Sequence, residues 1–200
     1  MNVPNKLTLS RIFMAAILVG LLSVNFPFSD TLALIVFGMA ALTDALDGHL
    51  ARKVYGITDF GKLMDPLADK IMVSAAFICF VAITLPEQRG SLVPAWMVVL
   101  ILSREFLVTG LRLLAAGKGH VISAGNWGKH KTTWQIVVIV GILLALAVRN
   151  DFIPSDASFT ETYDLYLKRI AYFASLAVSI LTLISGIVYF KEHANLIADD

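Results

Sequence analysis

Six apolar stretches, each near the length that a lipid bilayer requires, follow one another along this sequence. They cover residues 10–24, 31–52, 62–85, 94–116, 132–148 and 170–190. A transmembrane helix takes about 20 mainly apolar residues, and a helix satisfies all of its own backbone hydrogen bonds inside lipid. Charged residues make up only 16% of the chain, against about a quarter in soluble domains. The pattern predicts an all-α integral membrane protein, a bundle of six transmembrane helices in a single domain of residues 1–200.

A run of aspartates interrupts this pattern in residues 44–69, which read DALDGHLARKVYGITDFGKLMDPLAD. Asp44 and Asp47 are three residues apart, so they fall on one face of a helix. Asp65 and Asp69 are four residues apart and share a face in the same way. Glycines between the two pairs indicate a turn. The stretch therefore predicts a helical hairpin that brings two pairs of carboxylates face to face.

Four carboxylates beside apolar segments need a partner, because uncompensated charge is costly away from water. Neither Cys nor His recurs at a comparable spacing, and an all-oxygen site suits Mg²⁺ or Mn²⁺ rather than zinc or copper. Gly48 leaves room for a ligand to approach the helix backbone, and Arg52, one turn further on, can make a bidentate contact with phosphate. We expect a pair of divalent ions holding a pyrophosphate, rather than a cluster of solvated helix-end charges.

The same stretch resembles the signature of a known family, the CDP-alcohol phosphatidyltransferases. The pattern is D-x-x-D-G-x-x-A-R, eight residues, then G-x-x-x-D-x-x-x-D, and every fixed position is present: Asp44, Asp47, Gly48, Ala51, Arg52, Gly61, Asp65 and Asp69. The resemblance implies an enzyme that transfers the phosphatidyl group of CDP-diacylglycerol to the hydroxyl of a small alcohol, with release of CMP.

The resemblance also implies a role for each of these positions. Asp44, Asp47 and Asp65 would hold two Mg²⁺ ions, with Mn²⁺ as the alternative. Asp69 would complete the metal cluster and serve as general base, two roles that the sequence does not separate. The residues expected to line the CDP-diacylglycerol site are Gly48, Ala51 and Arg52, with Gly61 permitting close packing at the turn.

The N-terminal segment MNVPNKLTLSR allows two interpretations. It could be a short amphipathic helix on the membrane surface, with Lys6 and Arg11 meeting anionic lipid. It also resembles the N-x-L-T-x-x-R start of bacterial members of the family, and that resemblance implies that Asn5 and Thr8 help to line the nucleotide entrance.

A second group of charged residues lies in the fourth and fifth apolar stretches. Arg104 and Glu105 fall halfway along the fourth, and ionisable residues inside a membrane indicate a functional site by default. Arg112 follows two turns later, and Lys129 and Lys131 stand at the start of the fifth helix, where helix amides also favour anions. A structural ion pair that braces the helices would explain Glu105 better than Arg104. Anchoring to the cytoplasmic surface would explain the two lysines but not Arg104. The group predicts a pocket for a second phosphate beside the metal site.

The stretches REFLVTGLR and GKHKTTWQ are similar to the bacterial branch of the family whose acceptor is sn-glycerol 3-phosphate. This similarity implies that acceptor, a bacterial cell membrane, a homodimer and no nucleic-acid partner. Other acceptors, such as serine or inositol phosphate, remain open, although a basic pocket argues against serine. An intramembrane prenyltransferase would carry two well-separated aspartate motifs on a longer chain, and a cation transporter is the remote alternative.

The distribution of Lys and Arg predicts the orientation in the membrane. With the N-terminus in the cytoplasm, eleven basic residues lie on the cytoplasmic side and only Arg89, Arg149, Lys168 and Arg169 lie outside, as the positive-inside rule requires. The acidic loop expected between Asn150 and Asp164 would be external. The aspartates would then line an active-site cavity that faces the cytoplasm.

Overall fold

The protein is all-helical in the part of the chain that the structure describes. The computed structural model describes residues 3–24, 26–50, 59–86, 88–117, 126–154 and 159–192. These residues form α1 (Val3–Ser23), α2 (Ser29–Leu50), α3 (Asp59–Ala82), α4 (Ala95–Gly117), α5 (Asn126–Ala147) and α6 (Thr160–Glu192), with a short π-helix, Val148–Phe152, continuing α5. Each predicted apolar stretch falls mainly on one of the six helices, so the all-α part of the predicted fold class is confirmed for these residues.

The lengths and composition of the helices suit a membrane. Helices α1 to α5 contain 21 to 24 residues, which is about 32–36 Å at a rise of about 1.5 Å per residue. Among the residues whose side chains are described, two segments are long and apolar enough to cross a bilayer, Lys131–Phe152 and Thr160–Glu192, and three shorter apolar segments accompany them, Leu9–Ser23, Ser29–Thr43 and Lys70–Ala82. Charged residues at one end of α2 and α3 and in the middle of α4 interrupt their apolar runs. The helices are those of a membrane protein, and six complete spans remain a prediction.

The helices pack around a core of large apolar side chains. Helix α1 packs against α2 and α3, α6 packs against α4 and α5, and contact between α2 and α5 joins the two groups. Large apolar side chains that are fully buried come from α1 to α5 and from the connection between α3 and α4: Leu18, Phe37, Phe77, Phe80, Leu92, Val93, Met97, Ile101, Ile139, Leu143 and Leu146. Many large apolar residues on the outer faces are exposed, among them Phe13, Phe106 and Phe173. An apolar outer surface is the surface expected of a protein that is solvated by lipid.

Three helices begin earlier than the hydropathy pattern predicts. Helix α1 begins at Val3 rather than near residue 10, α5 at Asn126 rather than near residue 132, and α6 at Thr160 rather than near residue 170. Hydropathy reports the length of helix that suits lipid, whereas backbone hydrogen bonding continues through polar residues at the membrane surface. The acidic loop is correspondingly shorter than predicted, since Asn150 lies in the π-helix and Asp164 in α6.

Hydrogen bonds join the first turn of α2 to the π-helix. The carboxylate of Asp151 accepts bonds from the backbone N–H of Phe28 (3.1 Å) and Thr31 (2.9 Å) and from the Thr31 hydroxyl (2.6 Å). Asn150 donates to Asp30 at 2.6 Å, and Arg149 makes a bidentate contact with Asp164 at 2.9 and 3.0 Å. These bonds tie α2, the π-helix and α6 together.

A cavity of about 870 Å³ opens at this same end, and Asp30, Arg149 and Asp151 are among its lining residues. Helix α2 runs from this end to Leu50, so the cavity lies at the opposite end of α2 from Asp44 and Asp47. The cavity that the sequence predicts beside the aspartates involves side chains that the structure does not describe, and it stays a prediction.

Candidate active site

The aspartates of the predicted hairpin lie on two helices that contact each other. Asp44 and Asp47 fall in the last two turns of α2, and Asp65 and Asp69 fall in the first three turns of α3. Residues 51–58 join these helices, which are in contact. The structure describes the backbone at these four positions but not the carboxylates. The helical placement that the spacing predicts is therefore present, and the metal geometry remains a prediction.

The remaining signature positions have mixed outcomes. Gly48 lies near the end of α2, and Ala51 and Arg52 lie outside the described residues. Gly61 is in the first turn of α3, two residues after its start at Asp59, and its role in close packing beside the connection between the helices remains a prediction. A turn of helix replaces part of the expected connection, because the polar residues before the apolar run continue the helix.

The predicted N-terminal residues lie in α1 rather than in a separate surface helix. Asn5 and Thr8 fall in its first two turns, and their side chains are not described. Arg11 is buried, with 4% of its surface exposed. Its guanidinium therefore belongs to the protein interior, and the interpretation that it meets lipid headgroups is wrong.

The donor set of the hairpin fits a hard divalent cation. Four carboxylates at helical spacing supply only oxygen ligands, which Mg²⁺ and Mn²⁺ prefer. Among the side chains that the structure does describe, no group of three or more His, Cys, Asp or Glu is placed to hold a metal ion. The donor set makes the hairpin a candidate site for a divalent metal ion.

Three helices meet at the buried carboxylate of Glu105. Lys70 of α3 donates to Oε2 at 2.5 Å, and the ammonium of Lys131 on α5 forms an ion pair with Oε1. Gln135, one turn after Lys131, donates to Oε1 at 3.3 Å. The side chains of Glu105 and Lys131 are only 7% and 6% exposed. We call Lys70, Arg104, Glu105, Lys131 and Gln135 the Glu105 cluster.

Arg104 belongs to this cluster but points its guanidinium toward α6. Its Nη1 lies 3.6 Å from Glu105 Oε1, an ion-pair distance, while its Nη2 donates to the hydroxyl of Ser185 at 2.8 Å. The side chain is 8% exposed. The structure thus brings Arg104 and Lys131, both predicted for the acceptor pocket, to the same carboxylate.

The other two predicted acceptor residues lie on the same two helices as Arg104 and Lys131. Arg112 lies two turns beyond Arg104 on α4 and is exposed. Lys129 lies in the first turn of α5, and its side chain is not described. The assignment of both residues to the acceptor pocket remains a prediction.

Lys70 and Gln135 are members of the cluster that the sequence interpretation missed. Lys70 directly follows Asp69, and consecutive Cα atoms are about 3.8 Å apart. The Glu105 cluster therefore includes a residue from the same turn of α3 that carries Asp69. Two features of the sequence could have indicated these residues. Lys70 is a lysine just inside the apolar part of α3, and Gln135 is a glutamine one turn after Lys131.

The cluster carries more positive than negative charge. Among the described side chains it contains three cations, Lys70, Arg104 and Lys131, and one carboxylate, Glu105. Buried charge in a membrane protein is expensive unless it is paired. An arrangement with this excess is suited to binding an anion.

Comparison with known proteins identifies the class to which this site belongs. A sequence model of the CDP-alcohol phosphatidyltransferase family matches residues 1–188. The chain therefore belongs to the CDP-alcohol phosphatidyltransferase family, which confirms the resemblance seen in the aspartate signature. Members of this family generally depend on a divalent metal ion, and the family and the apolar helices together indicate a membrane-embedded bacterial enzyme.

Individual relatives carry a more specific name. The chain is 38% identical to a protein of Bacillus subtilis (strain 168) over 96% of this chain and 95% of that protein. It is 32% identical to a protein of Rickettsia bellii over 95% and 94% of the two chains, and 36% identical to one of Pseudomonas fluorescens over 72% and 73%. All three are named CDP-diacylglycerol–glycerol-3-phosphate 3-phosphatidyltransferase.

Proposed function

We propose that this protein transfers the phosphatidyl group of CDP-diacylglycerol to a hydroxyl of sn-glycerol 3-phosphate, producing phosphatidylglycerophosphate and CMP. The acceptor oxygen forms a bond to the phosphorus of the phosphatidyl group, and the bond from that phosphorus to the oxygen of CMP breaks. The hydroxyl proton passes to a carboxylate of the protein. Family membership supports the reaction class, and the names of the relatives support the acceptor.

The aspartate hairpin is the proposed donor site. Asp44, Asp47 and Asp65 hold two Mg²⁺ ions, and Asp69 completes the set. When bound, such ions neutralise a pyrophosphate and the charge that develops on the leaving nucleotide. Asp69 is the general base, because it stands on the turn of α3 nearest the Glu105 cluster. The proposed nucleotide-lining residues are Asn5, Thr8, Gly48, Ala51, Arg52 and Gly61.

The main observation that supports the proposed acceptor is the position of the Glu105 cluster. The described side chains of the cluster leave an excess of two positive charges, which matches the charge of a phosphate monoester dianion. Lys70 links the cluster to Asp69 through one peptide unit. A phosphate held by Arg104 and Lys131 would therefore place the hydroxyl of the same small molecule near the proposed base. Arg112 and Lys129 are proposed to contribute further positive charge to the pocket.

Alternative acceptors meet this pocket differently. Serine has no phosphate, so it would leave the cationic excess without a partner. Inositol phosphate carries the same charged group as glycerol 3-phosphate, so discrimination between these two depends on the shape of the alcohol. We further propose that the site faces the cytoplasm, that residues 1–200 form one domain and that the enzyme is a homodimer.

Arg104→Ala tests the acceptor assignment. The substitution should raise the KM for glycerol 3-phosphate about 10- to 100-fold, because a charge-assisted hydrogen bond contributes about 1.5–3 kcal/mol. The KM for CDP-diacylglycerol should change much less. The measurement is CMP release by purified full-length protein with each substrate varied in turn. Arg104→Lys keeps the charge but not the planar fork, so it should recover only part of the loss.

The control is a screen of the wild-type protein with different acceptor alcohols. It should use glycerol 3-phosphate and reject free glycerol and serine. A preference for an uncharged alcohol would contradict the acceptor proposal and leave the family assignment standing. An equal rise in both KM values in Arg104→Ala would place Arg104 outside the acceptor pocket.

A further inference from the structure

We infer that two consecutive residues of α6, Ser185 and Gly186, position the guanidinium of Arg104 and thereby set the affinity for the phosphorylated acceptor. The inference rests on the proposed function, since it assigns positioning residues to the pocket proposed there. Neither residue belongs to the aspartate signature or to the predicted acceptor group.

Gly186 provides the space in which the Arg104 side chain lies. A Cβ atom built on Gly186 would be 2.9 Å from Arg104 Cγ, 3.6 Å from Nε and 3.9 Å from Cδ. The distance of 2.9 Å is shorter than carbon atoms tolerate without moving, since their optimal separation is about 3.5–4.0 Å. Of the glycines with a described environment, which are Gly20, Gly38, Gly90, Gly110, Gly117, Gly141 and Gly186, only Gly186 has any neighbour within 4 Å of such a Cβ.

The contact is with the stem of Arg104, not with its charged end. Cγ is the second carbon of the side chain, so displacing it rotates everything beyond it. Arg104 is buried among packed helices, and packed interiors have little free space into which a side chain can shift. A methyl group at position 186 would therefore move the guanidinium away from its present place.

Ser185 fixes the direction of the guanidinium once the stem lies over Gly186. Its hydroxyl accepts a bond from Arg104 Nη2 at 2.8 Å, and the serine is itself buried. Because the guanidinium is planar and rigid, one bonded nitrogen determines where the other two point. Nη1 then faces Glu105, at 3.6 Å from Oε1, on the side of the cluster that contains Lys131.

The proposed role predicts a specific kinetic effect. Gly186→Ala should raise the KM for glycerol 3-phosphate about tenfold, the effect of weakening one charge-assisted bond, with little change in the KM for CDP-diacylglycerol. Ser185→Ala should act in the same direction and less strongly, since the stem of Arg104 stays in place. Gly141→Ala is the matched control: it is also a helical glycine, its Cβ would have no neighbour within 4 Å, and both KM values should be unchanged.

A double-mutant cycle separates positioning from general disturbance. Arg104→Ala removes Cγ, so Gly186→Ala should have no further effect on either KM in that background. Thermal unfolding of the detergent-solubilised full-length protein gives a second readout that does not require activity. Gly186→Ala should lower the Tm in the wild-type background and leave it unchanged or raise it in the Arg104→Ala background, because alanine is the better helix former.

The outcomes distinguish failure of the inference from failure of the proposed function. Equal effects of Gly186→Ala in both backgrounds would overturn the inference, since the residue would then not act through Arg104. Coupled Tm values, together with an Arg104→Ala variant whose KM for glycerol 3-phosphate is normal, would overturn the acceptor role proposed for Arg104. The Gly186→Ala variant could fail to fold. In that case, folding of the Gly186→Ala/Arg104→Ala double variant would still support the steric contact between positions 186 and 104. Failure of both variants to fold would overturn the inference.

Discussion

The four aspartates are the residues whose chemistry follows most directly from their spacing. At Asp44, Asp47 or Asp65, substitution by Asn keeps the size of the side chain and removes the negative charge that a hard cation requires. CMP release should become undetectable in each of the three variants at saturating Mg²⁺. Asp69→Asn should lower the chemical step by about 10² to 10⁴, the scale of general acid–base catalysis, while CDP-diacylglycerol binding survives better than in Asp44→Asn.

The controls for the aspartate variants are binding and folding. Each variant should insert into membranes and show a Tm near that of the wild type. Wild-type activity in any of the three Asn variants would remove that residue from the ligand set. Equal loss of CDP-diacylglycerol binding in Asp69→Asn and Asp44→Asn would make Asp69 mainly a ligand.

Glu105 illustrates a residue whose role depends on its partners. Its carboxylate holds two ammonium groups at close range, so removing its charge leaves the buried ammonium of Lys131 and the partly buried ammonium of Lys70 without their shared counter-charge. Breaking a buried ion pair by removing one partner costs about 3–5 kcal/mol. Glu105→Gln should therefore lower the Tm markedly in detergent solution.

A second substitution tests whether the loss of stability in Glu105→Gln comes from the ammonium groups that lose their counter-charge. Lys70→Met removes one ammonium group and keeps most of the side-chain volume, so the Glu105→Gln/Lys70→Met double variant should recover part of the lost stability. Thermal unfolding of the single and double variants is the measurement. A double variant less stable than Glu105→Gln would show that Lys70 stabilises the protein independently of Glu105.

At the scale of helices, the first turn of α2 depends on a residue 120 positions away. The Asp151 carboxylate accepts the N–H groups of Phe28 and Thr31, which otherwise have no partner within the helix. Loss of a capping side chain costs about 0.5–2 kcal/mol. Asp151→Ala should lower the Tm by several degrees, and the exposed residue Glu161, changed to Gln, is a control at the same end of the bundle.

The activity of Asp151→Ala provides the complementary measurement. Helix α2 is 22 residues long, about 33 Å, and its aspartates are at the far end. The kcat measured well below the Tm should therefore stay near the wild-type value. A large fall in kcat without a fall in Tm would show that this end of the bundle communicates with the active site.

Comparison of helices with sequence patterns shows where prediction succeeds. The six helices follow from apolar length, and the two aspartate pairs follow from helical spacing within one short stretch. Both depend on local sequence. The Glu105 cluster depends on which faces of different helices meet: Lys70 and Glu105 are 35 residues apart, and Arg104 and Ser185 are 81 apart. Periodicity shows which residues share a face of one helix, but it does not show which helix covers that face.

For the whole molecule, the distribution of charge at the two ends predicts the orientation in the membrane. The end that carries the π-helix has few cations, and two of them are bonded within the protein: Arg149 to Asp164 and Lys168 to the carbonyl of Arg89. Helix α6 begins at this end and finishes at Glu192. The positive-inside rule counts Lys and Arg near the ends of spans, so it places the beginning of α6 outside and its end in the cytoplasm.

Cysteine labelling at the two ends of α6 tests this orientation. Glu161 and Lys191 are both exposed, and the 30 residues between them correspond to about 45 Å of helix, more than the thickness of a hydrocarbon core. In a Cys79→Ala background, Glu161→Cys should react with a membrane-impermeant maleimide on intact cells. Lys191→Cys should react only after permeabilisation, since it would lie on the cytoplasmic side of the membrane. Cys79→Ala alone should not react, and each variant should retain CMP release. The reverse pattern would place the proposed site on the side without cytoplasmic nucleotide, and labelling of both positions in intact cells would show that α6 does not span the membrane.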